Sequence, residues 1–211
     1  MNSKITLVII AVIFHLSCLY VIATPQHITI LNASAVNQRT LDEVRIHAER
    51  ELRVSVSARD IISTNMVELK SIGRSANENK RNQDICLIVL TLSESPLHAT
   101  ILSNEQVAVI NVSALHSDDS VKNVRRLQRW TMRSAAFLFG VGPDVDPHCV
   151  MHDYRTMDEF DKLGLNFSPP WGDRFYQAAK ARGLQVRPQF QRPRPGMTKV
   201  VQPPPPLPKG N

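Results

Sequence analysis

Residues 133–143 read Arg-Ser-Ala-Ala-Phe-Leu-Phe-Gly-Val-Gly-Pro, and residues 146–152 read Asp-Pro-His-Cys-Val-Met-His. Asp158-Glu159-Phe160-Asp161 and Phe167-Ser168-Pro169-Pro170-Trp171 complete the segment on which the fold turns. Its first part closes a long helix. Over 120–139, Val121, Val124, Leu127, Ala135 and Leu138 recur at helical intervals, and Ser117, Asp118, Asp119 and Ser120 offer capping groups and negative charge at the start. Lys122, Arg125, Arg126 and Arg129 are expected to form a basic, exposed stripe. Gly140 can end the helix in a left-handed conformation, and Gly142 with Pro143 enforces the exit. A turn around Met151 follows, then a helix over 156–164 capped by Thr156 and another over 171–182.

Upstream, His27-Ile28-Thr29-Ile30-Leu31 alternates as a strand does, and Val54-Ser55-Val56-Ser57 repeats the pattern. Between them, Leu41, Val44, Ala48 and Leu52 mark one face of a helix over 41–52. Residues 65–82 are polar with a weak helical period, which predicts a surface helix or ordered loop. Ile85-Cys86-Leu87-Ile88-Val89-Leu90 is a continuous apolar run of strand length, the mark of a central strand buried on both faces. A β-branched run over 106–112 adds another strand. The class is α+β, a mixed sheet with helices packed on it.

The ends differ from the middle. Lys4, the apolar run over 5–22 and Val21-Ile22-Ala23 predict a signal peptide over 1–23, with an N-terminal membrane anchor as the alternative. The expected location is secreted or periplasmic. Residues 24–183 then form one domain, and 184–211 a basic, proline-rich tail expected to be disordered. From Arg174 onward there are eight Lys or Arg and no Asp or Glu, within a chain of net charge +6. Such a tail suits an acidic surface or a proline-binding partner, or it is a solvated end. The few aromatic residues among the basic ones form no interleaved pattern that suggests base stacking, so nucleic acid is not an expected partner. Past residue 23 only Cys86 and Cys149 remain, enough for one disulfide and no framework. Asn32, Asn111 and Asn166 each begin a triplet of the N-glycosylation pattern.

The order of elements, the helix ending at Gly140 and the following Cys149-Val150-Met151 resemble the archaemetzincin family of zinc peptidases. Metzincins carry His-Glu-x-x-His-x-x-Gly-x-x-His and a methionine turn, with two histidines one helical turn apart on zinc and the glutamate activating its water. Placing Gly140 on the glycine of that pattern puts Arg133, Phe137 and Pro143 at the three histidine positions and Ser134 at the glutamate. Met151 takes the methionine floor. The resemblance also implies a second, structural zinc held by four cysteines, whose positions here are Asp144, Cys149, Ser168 and Trp171. It therefore implies a metzincin/zincin-like fold with a former active-site helix and a Met-turn. Arginine has no lone pair to give, phenylalanine has no donor, and one thiolate cannot replace four.

Catalytic residues are accordingly not expected, and neither is a cofactor. A weak fallback metal cluster is His148, Cys149 and His152, while His27, His47, His98 and His116 show no ligand spacing. The sequence points to an exported, catalytically inactive pseudo-metallopeptidase that binds a peptide or protein, with Arg133, Phe137 and Met151 as cleft candidates. Arg133 could there pair with a carboxylate or stabilise its own fold. The alternatives are an active zinc-dependent metallopeptidase with non-standard ligands and a spacer whose tail makes the contacts.

Overall fold

The computed structural model describes residues 25–61 and 68–188. Among them, five strands form one sheet: β1 (His27–Asn32), β2 (Val56–Asp60), β3 (Asp84–Thr91), β4 (Ala99–Leu102) and β5 (Val107–Asn111), in the order β2-β1-β3-β5-β4. β1 is parallel to β2 and β3, and β3 to β5, whereas β4 runs antiparallel to β5 at the edge. The helices are α1 (Gln38–Leu52), α2 (Leu69–Glu78), α3 (Ser120–Leu138), α4 (Met157–Lys162) and α5 (Pro169–Ala181). This is the mixed α+β architecture expected.

Parallel strands need crossover helices, which cover both faces of the sheet and make its central strands, β3 and β5, largely apolar. Cys86, Ile88 and Leu90 of β3 join the larger core with α1, α3 and α5, while Leu87 and Val89 enter a smaller core under α2. The β4 strand was not foreseen: four residues, Ala-Thr-Ile-Leu, are too few for a period, and all are only half-buried. The second strand lies slightly later than its Val-Ser-Val-Ser signal, and α5 starts at Pro169, where a proline suits the first turn.

Local signals set the long helix. Asp119 caps α3 by accepting from the backbone N–H groups of Val121 at 2.8 Å and Lys122 at 3.3 Å. At the other end Gly140 has φ of 78°, Val141 N–H reaches Ala136 O at 2.9 Å, and Gly140 N–H reaches Phe137 O at 3.0 Å. Those two bonds and the left-handed glycine make a Schellman stop. Thr156 caps α4 through Glu159 N–H at 3.2 Å.

The basic stripe is a correction. Lys122 and Arg125 are exposed, but Arg126 and Arg129 are only 7% and 4% exposed. Their guanidinium groups find acceptors in the C-terminal segment. Arg126 grips both carboxylate oxygens of Asp161 at 2.8 and 2.6 Å and the carbonyls of Leu115 and His116. Arg129 bonds the carbonyls of Asp161 and Leu163 at 2.8–3.0 Å. Periodicity cannot foresee acceptors that lie some thirty residues away.

The structure also places the cysteines and the glycosylation triplets, which the sequence left open. Cys86 and Cys149 are both free and buried, so the disulfide does not form. Burial pushes the Cys86 thiol up to about 12 and raises that of Cys149 as well. Native protein treated with a thiol reagent at pH 8 is therefore expected to carry no label on either residue by peptide mapping, and label on both in denaturant; labelling of either in the native state would contradict it. Of the three glycosylation triplets, those at Asn32 and Asn111 are buried. Asn32 bonds Asp60 at 2.8 Å and Val36 O at 2.9 Å, and Asn111 bonds Ser95 O at 2.8 Å. Asn166 is exposed. The apolar segment 1–23 and the tail beyond residue 188 lie outside the described residues. Residues 184–188 remain on the domain: Leu184 is buried, and Arg187 N–H donates to Arg53 O at 2.7 Å. No helix among the described residues is long and apolar enough to cross a membrane.

Candidate functional site

The last two turns of α3 bring Arg133, Ser134 and Phe137 to the segment that turns around Met151. Arg133 is 4% exposed. Its Nη1 donates to Val150 O and to His152 O, each at 2.8 Å, so one nitrogen bridges the carbonyls on either side of Met151. Three rings surround the cation, with centroids 5.5 Å away for Trp130, 5.6 Å for Phe137 and 5.3 Å for Tyr154. The nearest carboxylate, Asp153, is 3.9 Å from Nη2 and largely exposed. Burial lowers the affinity of the guanidinium for its proton, which Tyr154 and Asp153 partly oppose. Met151 is fully buried, as is Ser134, whose Oγ has no hydrogen-bond partner among the described residues. Of the three expected cleft residues, only Phe137 is partly exposed.

An aromatic cluster continues from here to the sheet edge. Tyr154 packs on Phe160 with centroids 4.5 Å apart, and stacks on His98 at 6.0 Å. His98 Nδ1 and the Tyr154 hydroxyl are 2.9 Å apart, which ties the turn to the residue preceding β4. Burial lowers the pKa of His98 and raises that of Tyr154. Sequence reasoning missed Trp130, Tyr154 and His98. Only Trp130, one turn before Arg133 on the same helix, left a signal that spacing could have used.

A second constellation lies just past the helix. Ser168 Oγ donates to Asp144 Oδ2, and the backbone N–H groups of Ser168 and Met151 point at Cys149 Sγ at 3.3 and 3.4 Å. Asp144 N–H donates to Met151 O at 3.1 Å, and Trp171 Nε1–H donates to Gly142 O at 2.8 Å. The Asp144 carboxyl is raised by burial but lowered more by the bonds from Ser168, Asp146 N–H and Cys149, so its net shift is downward. Asp144, Cys149 and Ser168 thus meet in space, although 24 residues separate the directly bonded Asp144 and Ser168, whereas Trp171 reaches only the nearby Gly142 carbonyl.

Neither constellation fits a zinc ion. At the first, Arg133 and Phe137 offer no lone pair, and Pro143 none from its side chain. At the second, one carboxylate and one thiol are already engaged by hydrogen bonds from the chain, and the serine and tryptophan are poor partners for a tetrahedral thiolate cage. His148 is exposed, and His152 Nδ1 lies 3.0 Å from Asp144 O. Among the described residues no three His, Cys, Asp or Glu side chains gather as a metal site. A cavity of about 500 Å³, not foreseen from sequence, opens between Asn37, Arg39 and Glu43 at the start of α1 and Val121, Arg125 and Gln128 of α3.

Comparison with solved structures places this arrangement. An archaemetzincin from Methanopyrus kandleri superposes with a TM-score of 0.61 and 17% identity, covering 77% of this chain and 99% of that one. The fold is that of the archaemetzincins. A zinc-dependent peptidase from Methanocorpusculum labreanum gives 0.60 and 16%, covering 70% of this chain and 99% of the other. The archaemetzincin from Archaeoglobus fulgidus, complexed with malonate, gives 0.53 and 13%, with 71% and 99% covered. No family model and no curated protein sequence matches the chain. At these identities the likeness establishes an archaemetzincin-like, peptidase-type fold and leaves the chemistry to the residues.

Proposed function

We propose that this protein is an exported, archaemetzincin-like domain that no longer hydrolyses peptides and acts by binding them. The observation that carries the reading is the Arg133 guanidinium bonded to Val150 O and His152 O at 2.8 Å, where the resemblance implies a zinc ligand. A fixed positive charge opposes a divalent cation, and hydrolysis of this type needs the metal to lower the pKa of its water. The peptide-holding half of such a site asks less. β4 pairs only with β5 among the described residues, so its other edge can accept an extended chain. Leu92 and Leu97, 56% and 57% exposed, offer apolar contacts beside it. The partly exposed Phe137 is the anchor this reading assigns to α3. The tail remains a candidate second contact for an acidic surface or a proline-binding partner.

Purified protein lacking residues 1–23 is expected to contain no stoichiometric zinc by elemental mass spectrometry. It is expected to leave a peptide library uncut with or without chelator, while retaining a subset of those peptides. Phe137→Ala should weaken that retention roughly tenfold. Cleavage abolished by a chelator would refute the reading and favour a zinc peptidase with non-standard ligands.

A further inference from the structure

We infer that the Arg133 guanidinium serves as a built-in cation that fastens α3 to the Met151 turn, doing through carbonyl ligands and ring faces the mechanical work of a metal cross-link. Three features set Arg133 apart from an ordinary ion-paired arginine. Nη1 spends its hydrogens on two backbone oxygens, Val150 O and His152 O, the kind of donor a hard cation takes. Three ring centroids lie 5.3–5.6 Å from the guanidinium carbon, close enough for cation–π attraction in a desolvated setting. The one nearby carboxylate, Asp153, stands off at 3.9 Å with a side chain 78% exposed, so little of the charge is balanced by it. The attachment continues along the helix, because Arg126 and Arg129 hold residues 161–163 from the same side of α3. A cation supplied by the chain cannot be removed by a chelator or lost on dilution. The turn is then permanently locked, which suits a binding surface.

The inference rests on the reading of the site as metal-free, and three measurements on the full chain keep the two separable. Chelator treatment is expected to leave Tm unchanged. A fall of several degrees would overturn both readings. Arg133→Met should lower Tm by roughly 6–12 °C, since the buried Val150 carbonyl and the half-buried His152 carbonyl lose their donor. It should also speed amide exchange at Met151 and His152 at least about tenfold relative to β3, because the loss is local to the turn. Exchange that stays uniform would overturn the cross-link alone and leave the binding function standing. Asp153→Asn, at an exposed position that does not endanger folding, should change neither Tm nor turn exchange. A loss matching that of Arg133→Met would mean that an ordinary ion pair holds the arginine, and the inference would fall.

Discussion

Gly164→Ala is expected to destabilise the domain by about 3 kcal/mol or more and to lower Tm by roughly 6–12 °C. A Cβ at this position would lie 1.9 Å from the carbonyl oxygen of His148 and 3.0 Å from its carbon. Both are backbone atoms, so no rotamer change relieves the overlap. The segment cannot simply retreat either. Leu163 O is held by Arg129 at 2.8–3.0 Å, and Asn166 O accepts from Val150 N–H at 2.9 Å. Moving Gly164 outward therefore breaks bonds on both sides of it. Gly172→Ala is the internal control, since its added carbon would sit 3.4 Å from the edge of the Tyr176 ring, and alanine favours the α5 helix it joins. Thermal unfolding of the two variants beside the parent protein makes the comparison. If Gly164→Ala melted with the parent, the close approach of these two loops would not be a constraint of the native state.

Arg126→Met is expected to cost about 3–5 kcal/mol at neutral pH. The substitution preserves bulk, but it strands the Asp161 carboxylate, whose side chain is 16% exposed, and frees the carbonyls of Leu115 and His116. The loss should depend on pH with a defined sign. The bond from Arg126 is the main cause holding the Asp161 carboxyl below its ordinary value of 3.8, against the opposing effect of burial. The pair's contribution is thus complete above that ordinary value and is lost as pH falls through the lower folded value. The stability gap between the parent protein and Arg126→Met should be widest at pH 7 and should shrink on moving to pH 3. Denaturant unfolding at the two pH values tests this. A gap that stayed constant would mean that packing of the arginine stem, not the charge pair, holds α3 to α4. Replacing both partners, Arg126→Met with Asp161→Leu, should recover much of the loss, because no buried charge is then left unpaired.

Much of the frame was legible from local chemistry. Ile85-Cys86-Leu87-Ile88-Val89-Leu90 reads as a strand covered on both sides, and β3 is one. Asp119, Thr156 and Gly140 mark helix ends through bonds to residues within a few positions, so their roles follow from sequence neighbours alone. The resemblance built on element order, the helix ending at Gly140 and Cys149-Val150-Met151 led to the fold that superposition supports. β4 was missed because four half-buried residues carry too little pattern, and the pairing that makes them a strand comes from β5.

The amino-acid order by itself determined β1, β3, β5, α1 and α3, where α3 stops, and that Arg133, Phe137 and Pro143 bring no metal-binding side chain. Only the tertiary structure decided what became of the charges. Arg126, Arg129 and Arg133 share a helix with Arg125, which is exposed, yet all three are buried. They differ because acceptors at Asp161, Leu163, Val150 and His152 are carried to them by chain 17 to 35 residues away. Asp144, Cys149 and Ser168 are brought together in the same way. Burying a charged group costs far less when a partner meets it, and for these arginines the partners are fixed by how α3, α4 and the Met151 turn pack.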